Sequence, residues 1–330
     1  MYEAFYNFTG TPFQLTPDSR FFFGSRGHSK AIAHLNFGLA QGEGFIIITG
    51  EVGAGKTTIV EWLRTQVDQA AYTMARISTT QVSDNDLFRL AMANFGLEDE
   101  GLGKAALLRR FEGVLREHQV AGRRCLLIVD EVQNLSLAAL EELRMLSNIT
   151  VDGRSALQTI LLGQPQFRRM LASPDLDQLR QRVLTSYHLG PLSREETRAY
   201  IEHRLHAVGW TDDPHWDAAA FDAVFDHTGG IPRRINRLCS RLLVYGVLEE
   251  THEITAAMVE ATAEELQQDL EGGGASAVDL PMPPTHHSRA HSGNGAVSHD
   301  LLNRVEALEQ RMAAREQVFR RLTSLLGESR

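Results

Sequence analysis

Phe45-Ile-Ile-Ile-Thr49 runs directly into Gly50-Glu-Val-Gly-Ala-Gly-Lys-Thr-Thr58. An unbroken apolar run ahead of a glycine-rich turn reads as a buried strand. The turn satisfies G-x-x-x-x-G-K-[ST], and a segment of helical periodicity, Thr57–Gln69, follows it. A loop of this kind closes tightly enough for successive backbone N–H groups to converge on an anion, and Gly50, Gly53 and Gly55 permit the close approach. The helix behind it adds unpaired N–H groups and the positive end of its dipole. The whole stretch, including Glu51, Val52, Ala54 and Thr58, is therefore a candidate phosphate cradle. Lys56 would bridge β- and γ-phosphates, and the Thr57 hydroxyl would ligate Mg²⁺.

A partner for this loop lies further along the chain. Cys125-Leu-Leu-Ile-Val-Asp-Glu131 is a second apolar strand, and it delivers two acids at its C-terminal end, where open α/β sheets bind ligands. Asp130 is the candidate for the metal shell, and Glu131 for orienting and deprotonating an attacking water. Two further strands are expected at Tyr72–Ile77 and Leu157–Leu162, with amphipathic helices between them at Ser83–Phe95, Lys104–His118 and Leu137–Ser147. Strands alternating with helices predict a parallel sheet covered on both faces.

After this the pattern changes. Ser193-Arg-Glu-Glu196 is a capping box opening a helix to about Val208, and further helices fit Asp217–Thr228, Pro232–Leu248 and Thr255–Leu270. Residues 193–270 thus read as a small all-helical lid following an α/β domain at 45–192, with an aromatic-rich segment and a helix in 1–44. In 272–299, sixteen of 28 residues are Gly, Pro, Ser or His, a composition too poor in apolar surface to pack, so a flexible linker is expected over 271–299. His286, His287, His291 and His299 within it read as solvated rather than as a metal site. Val305, Leu308, Met312, Arg315, Phe319, Leu322 and Leu326 then alternate in steps of three and four, the seam of an amphipathic or coiled-coil helix in 300–330. Such a helix would join copies of the chain or dock on a membrane-associated partner.

The 330 residues carry 33 Lys plus Arg against 42 Asp plus Glu, a formal charge of −9, and only three of the basic residues are lysines. That surface does not gather nucleic acid or anionic lipid by charge alone. No apolar run approaches the ~20 residues of a membrane span, and Met1–Tyr6 does not read as a signal peptide. Cys125 and Cys239 are far apart in apolar-periodic segments and read as buried, reduced thiols of a cytoplasmic protein, one that could lie peripherally against the inner membrane.

The two phosphate-site motifs with the helical region resemble an AAA+ ATPase. Pro12-Phe-Gln-Leu-Thr-Pro17, Phe21-Phe-Phe-Gly-Ser25 with His28, Asp130-Glu-Val-Gln-Asn134, Leu161-Leu-Gly-Gln-Pro165 and Gly229-Gly-Ile-Pro-Arg-Arg-Ile-Asn236 are similar to the GspA/ExeA-type ATPases, above all the versions associated with exosortase exopolysaccharide clusters. The resemblance covers residues 1–270 and implies a P-loop NTPase fold, ATP and Mg²⁺ as ligands, assembly of copies into a ring or helix, and a role in envelope or exopolysaccharide biogenesis. These residues hold neither the membrane span nor the peptidoglycan-binding region of full-length ExeA-type proteins. Residue by residue, the resemblance makes Gln164 a sensor of the γ-phosphate or lytic water. It makes Arg180 or Arg182 an arginine finger offered to a neighbouring copy, and Arg233 a sensor on the lid. It sets Phe22, Phe23 and Gly24 beside the base, with core packing as the other reading of both phenylalanines. Related transposition regulators of the MuB/TnsC kind, which bind DNA under nucleotide control, supply a rival reading that the acidic balance and scarcity of lysine oppose. A third reading makes the chain chiefly a docking protein.

Overall fold

The computed structural model describes residues 2–16, 18–78, 86–97 and 101–272, which fall within one compact unit, Met1–Ser276. The linker and tail helix expected in 271–330 lie outside the described residues, apart from the first two positions. The strands are β1 (Phe45–Gly50), β2 (Tyr72–Ser78), β3 (Arg124–Asp130), β4 (Thr150–Val151), β5 (Arg154–Ser155), β6 (Leu157–Gly163), β7 (Val183–Leu189), β8 (His215–Trp216) and β9 (Glu253–Ile254). The helices are α1 (Tyr2–Phe5), α2 (Arg26–Gln41), α3 (Lys56–Gln66), α4 (Asp86–Asn94), α5 (Lys104–Val120), α6 (Leu137–Leu146), α7 (Pro165–Leu171), α8 (Asp177–Arg180), α9 (Arg194–His206), α10 (Ala218–Thr228), α11 (Pro232–Leu248) and α12 (Ala256–Gly272).

Five strands form a parallel sheet in the order β2-β3-β6-β1-β7. Its central strands β1, β3 and β6 are almost wholly buried, as continuous apolar runs covered on both faces must be. One face packs on α4, α5 and α6 through Leu87, Phe111 and Leu140, the other on α2 and α3 through Leu35, Ile59 and Leu63. The chain leaves β1 and crosses two positions to reach β2, so the ends of β1, β6 and β3 open onto a crevice where the strand order reverses.

The fifth strand, β7, was not among the four expected from the sequence. Val183-Leu-Thr-Ser-Tyr-His-Leu189 pairs only with β1, at the sheet's edge, and its side chains are mostly half-buried. An edge strand needs no unbroken apolar run, so it carries none of the signal that marks β1 or β3. A hairpin, β4–β5, turns on Asp152 and Gly153 with φ of 50° and 74°. The helical region is also not wholly helical: His215–Trp216 and Glu253–Ile254 form a short parallel bridge. Its helices otherwise follow the local signals. Ser193 accepts from Glu196 N and Glu196 caps the Ser193 N–H, while Asp217 caps α10 and Pro232 opens α11.

A second core gathers around α9, α10, α11 and α12, and the aromatic N-terminus belongs to it. Tyr6, Phe8, Phe13 and Phe21 pack with Tyr200, Leu205 and Phe221. Arg204, 6% exposed, ties the N-terminal loop down by donating to the Pro12 and Gln14 carbonyls at 2.9 and 3.2 Å, with its guanidinium over the Phe21 and Tyr200 rings. Tyr6, Phe8, Phe13 and Phe21 therefore lie in the helical core, while α2 packs against the sheet.

Candidate functional site

The turn after β1 folds as its glycines allow. Gly53 and Gly55 take φ of 83° and 101°, and Gly55 stands as the uncapped N-terminus of α3, leaving first-turn N–H groups open to an anion. Neither glycine has room for a side chain. A Cβ at Gly53 would lie 2.3 Å from Arg233 Cβ at the start of α11, and one at Gly55 would lie 2.6 Å from His28 Nε2. The loop is thus clamped between α11 and α2. Arg233 N donates to the Gly53 carbonyl at 3.2 Å, a direct backbone bond between the helical region and the loop.

Lys56 is 5% exposed and its Nζ donates to the Gly50 and Glu51 carbonyls at 2.8 and 3.0 Å. Burial lowers its pKa, against the opposing pull of Glu131, Asp130 and Glu51. Thr57 Oγ1 donates to Asp130 Oδ2 at 3.2 Å, so a hydroxyl from the first turn of α3 and a carboxylate from the end of β3 converge on one point. Two hard oxygen ligands beside a phosphate cradle are the donor set that suits magnesium.

Glu131 has φ 51°, ψ 41°, an uncommon conformation for a residue with a side chain. Its carboxylate is held by two amides, Gln164 Nε2 at 2.9 Å and Gln133 Nε2 at 2.5 Å, both on Oε2. Gln133 Oε1 in turn accepts from the Gln164 backbone N–H at 2.9 Å, closing a ring of three residues. Burial pushes the Glu131 carboxyl up, but the Gln164 and Gln133 amides and the Lys56 charge outweigh it and hold it below the usual range. It is ionised at neutral pH and cannot rotate freely.

Phe23, Glu131, Lys56 and Thr57 line one cleft of about 330 Å³, with Tyr200, Pro232, Arg233 and Asn236 at its other wall. Phe23 meets Tyr200 edge-on at 5.7 Å, while Phe22 stacks on Trp62. Arg180 and Arg182 do not join them. Arg182 precedes β7 and its carbonyl accepts from Phe45 N, at the opposite end of β1 from the phosphate loop. Its guanidinium donates to the Ser147 carbonyl at 3.1 Å. Arg180 is exposed and pairs with Asp177 at 2.5 Å.

Residues 39–171 match the model of an AAA domain family. The chain is 36% identical over 267 residues to the general secretion pathway protein A of Aeromonas hydrophila, an alignment covering 81% of this chain and 48% of that protein. The chain thus spans about half the length of this curated relative. Over the aligned region the chain carries the AAA domain and is similar in sequence to the GspA/ExeA-type AAA+ proteins. Solved structures of the same fold include Cdc6p from Pyrobaculum aerophilum, with TM-score 0.60, 15% identity and coverage of 76% of this chain and 71% of that one. The ADP form of Aeropyrum pernix ORC2 matches with TM-score 0.59 and 16% identity over 77% and 72% of the two chains. A nucleotide site is what an AAA+ P-loop fold builds at this crevice, and among the described residues no helix is long and apolar enough to cross a membrane.

Three residues of this AAA+ site carry contacts that their sequence positions did not announce. Gln133 sits inside the quoted Asp130–Asn134 stretch without an assigned role. His28, 6% exposed, hydrogen-bonds Ser25 Oγ through Nδ1 at 2.7 Å and turns its other nitrogen to the loop. Arg76, on β2, reaches Asp130. His28 and Gln133 had a signal, their places in the stretches of family similarity. Arg76 had none, because its contact depends on which strands become neighbours.

Proposed function

We propose that this chain is a Mg²⁺-dependent ATPase whose hydrolysis is completed by assembly with further copies. The observation that carries the reading is the Glu131 carboxylate, ionised and fixed by Gln133 and Gln164, in one cleft with Lys56 and with Thr57 close to Asp130. Residues Gly50–Thr58 bind the phosphates through backbone N–H groups and the Lys56 ammonium, which exchanges its carbonyl partners for phosphate oxygens. Thr57 and Asp130 hold the metal, which when bound offsets charge on the β- and γ-phosphates. Glu131 orients the attacking water and accepts its proton. Gln164 supports Glu131 and can contact that same water, and Phe23 flanks the base.

Arg233 lies on the far wall of the cleft, where an exposed guanidinium can follow the γ-phosphate as the helical region moves. Between the two finger candidates, exposure favours Arg180: Arg182 is half-buried with its guanidinium on Ser147, while Arg180 is exposed, held by an ion pair with Asp177 and long hydrogen bonds to the Leu171 and Ala172 carbonyls. Neither is near its own chain's phosphate loop, in keeping with a finger supplied between copies in a ring or helical assembly. The sequence relationship to a secretion pathway protein supports work on an envelope, secretion or exopolysaccharide system from the cytoplasmic side, with residues 300–330 as a candidate link to a membrane-associated partner or to other copies.

The test is ATP turnover by the purified chain beside Lys56→Ala and Glu131→Gln, across a range of protein concentration. Turnover should rise with assembly and fall by about 100-fold or more in Glu131→Gln while nucleotide still binds. Wild-type turnover no faster than that of Glu131→Gln at concentrations where copies associate would refute the enzyme reading.

A further inference from the structure

The parallel register of β2 and β3 sets Arg76 opposite Ile128 and Ser78 opposite Asp130, so a long side chain at 76 reaches forward to the end of the neighbouring strand. Arg76 does so. Its Nη2 donates to Asp130 Oδ2 at 2.9 Å and its Nη1 to Glu61 Oε1, on α3, at 2.8 Å. Asp130 Oδ2 is the same oxygen that accepts from Thr57. The guanidinium therefore sits on the carboxylate oxygen at which the two candidate magnesium-holding groups meet. The Asp130 side chain is only 8% exposed and that of Arg76 29%, so this is a shielded, charge-assisted bond rather than a surface ion pair. A side chamber of about 280 Å³, lined by Arg76, Glu61, Thr57, Thr58 and Asp18, gives the guanidinium room to withdraw.

A monovalent cation and a divalent one cannot share one carboxylate oxygen at contact distance without strong repulsion. We propose that Arg76 competes with the divalent cation for Asp130: it holds the carboxylate while no metal–nucleotide is present and retreats onto Glu61 when the cation arrives. Glu61 is then the counterweight. Its charge draws Arg76 away from Asp130, although it divides its attention, since Glu61 also pairs with Arg64 at 2.9 Å. The proposal rests on the reading of the cleft as a Mg²⁺–nucleotide site. It makes Arg76 a positioning residue with a consequence of defined sign. Weakening Arg76 strengthens metal binding, and weakening Glu61 impairs it.

The experiment is binding of a fluorescent ADP analogue to the full chain, first in EDTA and then titrated with Mg²⁺, for wild type, Arg76→Gln, Arg76→Lys and Glu61→Gln. In EDTA all four should bind the analogue alike, through the loop and Lys56. Absence of any binding by the folded wild type would overturn the nucleotide reading itself, and this proposal with it. In the titration, Arg76→Gln should lower the half-saturating Mg²⁺ concentration about five- to tenfold, Arg76→Lys should lie between it and wild type, and Glu61→Gln should raise it about threefold. An unchanged or raised midpoint in Arg76→Gln overturns the proposal. So does an equal loss of affinity with and without Mg²⁺, which would make Arg76 a phosphate ligand. Should Arg76→Gln fail to fold, the sign of the Glu61→Gln shift decides: upward supports the competition, downward or absent refutes it.

Discussion

His28 links the pH of the medium to the stability of the phosphate loop. Its ring is buried under Gly55, with Nδ1 on Ser25 and Nε2 against the loop, and burial lowers its pKa from 6.5 to about 4 despite the nearby Glu196 carboxylate. The folded state therefore needs the neutral ring. Above pH 6.5 both folded and unfolded chains carry it neutral and nothing is lost. As pH falls below that value the unfolded chain takes up the proton and the folded chain does not, so stability declines until the folded ring also protonates near pH 4. The slope across this interval is about 1.4 kcal/mol per pH unit, or about 2 kcal/mol between pH 7 and pH 5. Urea unfolding followed by tryptophan fluorescence, for wild type and His28→Gln, isolates the effect. Gln cannot titrate but can still bond Ser25, and every other histidine contributes equally to both proteins. The variant is expected to be the less stable at pH 7, with the gap closing by about 2 kcal/mol by pH 5. Parallel stability curves for the two proteins would show that His28 is not held neutral under the loop.

Other consequences follow from the same contacts. Gly53→Ala forces a side chain into positive φ and onto Arg233 Cβ at 2.3 Å, so it should cost about 2 kcal/mol or more by thermal unfolding and weaken nucleotide affinity in the same variant. Gln133→Ala and Gln164→Ala each remove one amide from Glu131, and turnover should drop about tenfold or more with nucleotide affinity held within about twofold; a matched loss of affinity would contradict their role in the hydrolytic step. Arg204→Ala strands the Pro12 and Gln14 carbonyls and uncovers Phe21, so it should destabilise the chain by about 3 kcal/mol and expose residues 8–16 to limited proteolysis.

How far the sequence could be read depended on whether each signal was local. Gly50–Thr58, the capping box at Ser193 and the Pro232 start of α11 are written in consecutive residues, and each folds as its own chemistry requires. The ionisable end of β3 was legible for the same reason. What escaped was set by pairing between distant segments. β7 is a strand because β1 has a free edge, not because Val183–Leu189 insists on it. Gln133 acquires meaning only when β6 delivers Gln164 alongside, and Arg76 only when β2 falls next to β3. The aromatic N-terminus was legible as apolar but not as part of the helical core, since nothing in Phe8 or Phe13 names Leu205 as its neighbour.

One of these long-range contacts constrains how the site can work. The phosphate loop has two rigid neighbours: α2, through His28 under Gly55, and α11, through Arg233 on Gly53. α2 packs on β7 and the sheet, so His28 fixes the loop to the α/β core. α11 belongs to the helical core, and among the described residues it holds the loop here through one backbone bond of 3.2 Å and the close approach of the Arg233 Cβ to Gly53. A γ-phosphate entering the loop presses on the second clamp more readily than the first, because breaking one partly exposed hydrogen bond costs about 1 kcal/mol while displacing a buried ring opens the core. Motion driven by nucleotide is therefore expected to appear at Gly53 and Arg233, with α2 and the sheet as the fixed frame. Amide hydrogen exchange with and without nucleotide reads this directly: protection should change at residues 232–236 and stay constant at residues 28–35. The reverse pattern would mean that the loop moves with the helical core and the sheet slides beneath it.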